Sequence, residues 1–229
     1  MTALLKLMRL ELRKNKTSWI KGILIVNLAI LAFMTLVIFT EEGEFSTFTD
    51  VFEGLYVFVN GTFIIYASVL LAKLVIDEFK NNTITVLFMY PISRKKLISA
   101  KLMIVFLFTL ISIFASDIIL SVLLGGIDYY VKDVIQGQLT AQMLLTELPS
   151  IALDAVYAAG IGLIPLFFGM RKKSVPATIV TAILVVSMLS SGFGNFRLGN
   201  QAGVALSLSL IGIGIAYLSF RNIEHKDIA

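Results

Sequence analysis

Two carboxylates sit where a carboxylate is costly. Asp117 lies in the run ISIFASDIILSVLL and Asp154 in IALDAVYAAG, both otherwise apolar or small. An acid in such surroundings must face other protein, a partner or water. It can act as a proton- or cation-sensitive point on a transport route, or as a buried hydrogen-bonding group that fixes helix packing. Catalysis has little to work with. The single histidine, His225, stands near the C-terminus and there is no cysteine, so a histidine triad, a multi-histidine metal site and a thiolate nucleophile are all excluded. A carboxylate dyad would need Asp117 and Asp154 to converge. The spans placed below set Asp154 about six residues into its helix, near the outer surface, and Asp117 deeper. No Gly-x-x-x-x-Gly-Lys phosphate loop occurs, and no glycine is followed by lysine. Any ATP-driven work must borrow its motor.

A second constellation is the stretch from Asp77 to Lys101, DEFKNNTITVLFMYPISRKKLISAK. Phe79, Thr83, Val86, Leu87 and Tyr90 recur at helical spacing and would share one face of a short amphipathic helix. Pro91 ends it, because a proline disfavours helix at the residue before it. Ser93 is placed to cap the next helix, whose first turn then holds Arg94, Lys95 and Lys96. Cations there oppose the helix dipole by a few tenths of a kcal/mol each, roughly, so lipid phosphates, acidic groups on a partner or the rule that keeps positive loops inside must compensate.

The elements that position these residues are membrane spans. Of 229 residues, 58% are hydrophobic and 15% charged, and the mean hydropathy is +0.91. A soluble domain holds nearer one half apolar residues, and here they come in long blocks rather than stripes. Six stretches are long enough to cross about 30 Å of hydrocarbon at about 1.5 Å per residue: about 18–40, 55–77, 102–127, 148–170, 174–193 and 202–220. The first apolar run is too long for the core of a cleaved signal peptide. Before it, residues 1–17 form an expected surface helix, with Met1, Leu4, Leu5, Met8 and Leu12 on one face and Lys6, Arg9 and Arg13 on the other. The expected fold is one all-α transmembrane domain over 1–229: six transmembrane helices, this interfacial helix, and a short cytoplasmic helix in the 77–101 loop.

Charge orients it. With the N-terminus inside, 17 of the 19 lysines and arginines fall on cytoplasmic segments, leaving Lys132 and Arg197 outside. The first outer loop carries Glu41, Glu42, Glu44, Asp50 and Glu53 with no basic residue. Both termini are then expected in the cytoplasm of a multi-pass cell-membrane protein. The net charge of +4 reports this topology and not a nucleic-acid partner.

The pattern acid-aromatic-x-x-x-Thr-apolar followed by Pro-Ile-Ser-Arg-x-x-apolar-x-x-x-Lys resembles the loop between the second and third spans of type-2 ABC transporter permeases. Here it is carried by Glu78, Phe79, Thr83, Ile84, Pro91, Ile92, Ser93, Arg94, Leu97 and Lys101. The resemblance implies a coupling helix that docks on a separate ATP-binding subunit, which holds the ATP and Mg; this chain itself needs no cofactor or metal. Glu78, Phe79, Thr83, Val86, Leu87, Tyr90 and Arg94 are the implied coupling residues. Substituting Glu78 by Ala or Phe79 by Asp is expected to uncouple hydrolysis from transport while leaving the fold intact. The resemblance further implies a dimer with a second copy or a paralogue. It also suggests export of peptides, antibiotics, lipids or polysaccharides, with small members often in bacteriocin or antimicrobial-peptide export and immunity. In such a dimer Asn60, Phe63 and Tyr66, with Asp117 and Asp154, become candidate lining residues of the path. In larger relatives a structured outer element precedes the last span, whereas here the 191–201 connection is short and glycine-rich, against a large outer gate. Two competing functions stay open: a stand-alone ion- or proton-coupled carrier using Asp117, and a non-transporting immunity or sensor protein.

Overall fold

The computed structural model describes residues 2–40, 47–80, 94–131, 135, 139–193, 196–197 and 201–221. Helix α1 (Thr2–Thr40) is a single 39-residue element. The surface helix expected over 1–17 is therefore not separated from the first span. Residues 2–21 contain neither Gly nor Pro and are rich in Leu, Lys and Arg, so nothing in the backbone asks for a break.

Helix α2 (Phe48–Leu71) begins seven residues before the predicted 55. Its start is set by a capping box. The backbone N–H and hydroxyl of Thr47 donate to Asp50 Oδ2 at 2.8 and 2.7 Å, and the Asp50 N–H donates to Thr47 Oγ1 at 3.4 Å. The helix runs on through a π turn (Ala72–Ile76) into α3 (Asp77–Lys80). Helix α4 (Arg94–Val131) has 38 residues. Helix α5 (Ala141–Ile161) starts seven residues ahead of the expected 148 and carries Pro149 in its interior, although Pro149 reads in the sequence as a boundary.

A tight turn at 162–164 leads to α6 (Pro165–Lys172), where Pro165 sits at the first helical position and gives up no intrahelical bond. Lys173, at φ 47°, reverses the chain into α7 (Val175–Ser190), with Pro176 in its first turn. A two-residue antiparallel pairing, β1 (Gly192–Phe193) with β2 (Phe196–Arg197), precedes α8 (Ala202–Arg221).

Among the described residues, five helical stretches are long and apolar enough to cross a membrane: Thr17–Thr40, Phe48–Lys80, Lys96–Val131, Ala141–Lys172 and Ala202–Ser219. The fifth of the six expected spans, α7, has 16 residues, about 24 Å against a core of about 30 Å. The fold is an all-α membrane bundle. Helix α2 is its hub, packed against α1, α4, α5 and α7, with 61% of its apolar stretch buried against 11% for α1. Leu24, Ile25, Leu28 and Leu36 on α1 point outward, as lipid-facing positions do.

Two cores fill the interior. One, at the end next to α3, gathers Leu71, Val75, Ile76, Ile98, Leu102 and Leu166 with Trp19, whose ring meets Phe108 edge-on at 5.2 Å. The other, toward the start of α2, gathers Met34, Leu55, Val59, Phe63, Ile64, Ile113 and Leu120.

Candidate functional site

Asp117 on α4 and Asp154 on α5 both stand well inside their helices. Asp154 stands thirteen positions after Ala141, and Asp117 fourteen before Val131. At about 1.5 Å per residue each is about 20 Å from its helix end, and those ends lie on the same side of the bundle. Asp154 thus stands about 10 Å farther from the start of its helix than a start at 148 places it. Both acids line one cavity of about 360 Å³ between α2, α4, α5 and α8, with Glu53, Tyr56, Glu147, Ser121 and Ser150. Its mouth lies at the exposed Glu53 and Ser150. There it adjoins a shallower surface hollow of about 370 Å³ that shares Thr49, Phe52 and Glu147.

Deeper, a recess of about 40 Å³ shares Tyr56, Asp154 and Ala205 with the main cavity and adds Asn60 and Tyr157. Asp117 is 6% exposed and Asn60 7%. Asp117 Oδ1 and both amide atoms of Asn60 lack a hydrogen-bond partner. Orphaned polar groups at such burial are rare. The recess has room for about three waters, which suits the Asn60 amide.

The structure thus brings Asn60, Asp117 and Asp154 around connected cavities. Phe63 and Tyr66 lie elsewhere. Phe63 is fully buried in the core, and Tyr66 stacks on Phe108 with ring centroids 5.8 Å apart. Glu53, Tyr56 and Glu147 were missed in the sequence, yet spacing pointed to them. Glu53 and Tyr56, and Glu147 and Ser150, are three apart, and Tyr56 and Asn60, and Ser150 and Asp154, are four apart, so each set shares a helix face with a polar residue already singled out or its neighbour.

At the other end of the bundle lies a buried ion pair. Lys101 Nζ donates to the Leu74 carbonyl at 2.9 Å and to Glu78 Oε1, with 3% of the lysine side chain and 24% of the glutamate exposed. Leu74 belongs to the π turn, an irregularity that often marks functional sites in helices. The pair ties α2 and α3 to α4 on both sides of the 81–93 connection. Phe79 is half-buried and packs on the core around Trp19 and Leu71. Thr83, Val86, Leu87, Tyr90 and the capping Ser93 lie outside the described residues, and of Arg94 only the backbone, opening α4, is described.

The model of the ABC-2 family transporter proteins matches residues 7–188 of this chain. The chain belongs to the ABC-2 transporter family. It is therefore a multi-pass membrane protein, a permease subunit of an ABC transporter, and membership implies an ATP-binding partner subunit. The chain is also similar to a Bacillus subtilis (strain 168) protein named uncharacterized protein YcbO, at 39% identity over 231 residues that cover 97% of this chain and 100% of the relative. No solved structure matches it. Within this ABC-2 permease the Glu78–Lys101 pair joins the two ends of the loop motif, and the acids of the apolar spans line the cavity at the opposite end.

Proposed function

We propose that this ABC-2 permease is an exporter, working as a dimer with a second copy or a paralogue and with both termini in the cytoplasm. It moves amphipathic molecules outward, antimicrobial peptides or lipid-like compounds. The observation that carries the reading is the asymmetry of the bundle. Packed side chains from Leu71 to Leu166 close the end beside α3 and the start of α4, while the cavity opens at the other end. The sealed end also carries Lys73, Lys80 and the Arg171–Lys173 cluster, which favours a cytoplasmic placement and contact with anionic lipid. Its partner, holding ATP and Mg, docks beneath residues 78–90. Motor closure pushes on α3, and the Glu78–Lys101 pair passes that push to α4.

Phe79→Asp tests the docking. An aromatic anchor at a hot spot contributes about 2 kcal/mol or more, so ATP-dependent uptake of a dye-labelled cationic amphipathic peptide into inverted vesicles should fall about tenfold or more. Unchanged uptake by a variant of normal thermal stability would contradict docking at this residue.

A further inference from the structure

We infer that the cavity between α2, α4, α5 and α8 is a binding site for the ammonium group of an amphipathic amine, with Asp117 as its principal counter-charge. The inference rests on the permease reading and names the chemistry of its cargo. The acidic residues Glu53, Asp117, Glu147 and Asp154 line the space, and no lysine or arginine stands among the described lining residues. Acidity alone would not make a site. The deciding observation is that Asp117 is more than nine-tenths buried, lines the cavity, and leaves Oδ1 without a hydrogen-bond donor. A buried carboxylate oxygen in an apolar bundle needs a donor, and preferably a charged one.

A metal ion fits poorly, since among the described residues no three carboxylates or histidines converge closely enough to hold one. An ammonium fits better. It donates to one or two carboxylates at once and also favours the aromatic rings of Phe52 and Tyr56 that line the same space. The remaining wall, with Leu55, Ile151 and Ala205, accepts an alkyl tail. At about 360 Å³ the volume lies within the usual range for small-ligand pockets, about 300–1,000 Å³.

The test uses the full-length permease in phosphatidylcholine nanodiscs, with radiolabelled decylammonium as probe and empty nanodiscs as blank. Saturable binding is expected, displaced by unlabelled octylammonium and not by octanol. D117N should weaken it about tenfold or more. E147Q, a change at the half-exposed mouth that places no demand on folding, should weaken it about two- to threefold. No saturable binding above the blank, displacement by octanol, or equal affinity in D117N and E147Q would each overturn the inference. Recruitment of the ATP-binding subunit is read in the same preparations. A wild-type chain that recruits the motor but binds no amine sinks the site alone. One that binds the amine but recruits no motor supports the site and sinks the coupled-permease reading.

Discussion

Glu78→Ala is expected to destabilise the folded chain by about 3–5 kcal/mol, the usual result of leaving one member of a buried pair behind. The sequence alone suggests a docking group whose loss spares the fold. The structure changes that expectation, because Glu78 compensates Lys101. The two single substitutions should also differ. Lys101 is the more deeply buried partner, and without Glu78 its ammonium keeps the Leu74 carbonyl but faces the core with its charge uncompensated. Glu78 is about a quarter exposed, so after Lys101→Met it reaches water, and the loss should be smaller, about 1–3 kcal/mol. The double variant Glu78→Gln/Lys101→Met buries no unpaired charge and should recover much of the stability. Thermal unfolding in mild detergent orders the three. Equal losses in both single variants would contradict this account of the pair.

Gly212→Val is the second large effect. A β-carbon built on Gly212 falls on the Gly160 carbonyl oxygen and stands 2.9 Å from its carbon; one on Gly160 falls on Ser209. The backbones of α5 and α8 touch there, and small residues permit it. Backbone cannot step aside as a side chain can, so valine must pry the helices apart, at about 1–3 kcal/mol or more. Because α5 and α8 also wall the cavity, the variant should lose amine binding along with thermal stability. Gly214 provides the control: a β-carbon there meets nothing within 4 Å, and Gly214→Ala should be neutral or slightly stabilising in a helix. Similar losses for Gly212→Val and Gly214→Ala would rule out a specific contact.

Much of the fold was legible in residue types. The apolar blocks located the helices, the basic turn 171–173 separated α6 from α7, and the absence of a phosphate loop left the motor to a partner. What misled was local. Pro149 reads as a helix boundary, yet α5 runs through it, and the Thr47–Asp50 capping box starts α2 where an apolar count alone would not. The shift at α5, about two turns, sets Asp154 about as far from its helix start as Asp117 is from its helix end, and the two acids line one cavity. The union of α1 was legible only in what residues 2–21 lack, a glycine or proline to break the helix between the amphipathic stretch and the apolar one. The Glu78–Lys101 pair joins residues 23 apart across the loop, a contact that no periodicity announces.

The most direct test of the central claim is a mild-detergent pull-down of the tagged chain from its native membrane, with copurified proteins identified and ATP hydrolysis assayed. A stoichiometric phosphate-loop protein, with hydrolysis that becomes uncoupled from uptake in Phe79→Asp, is the expected result. A clean preparation with no ATPase, and amine transport that proceeds without one, would contradict the ATP-driven exporter and leave a stand-alone carrier centred on Asp117.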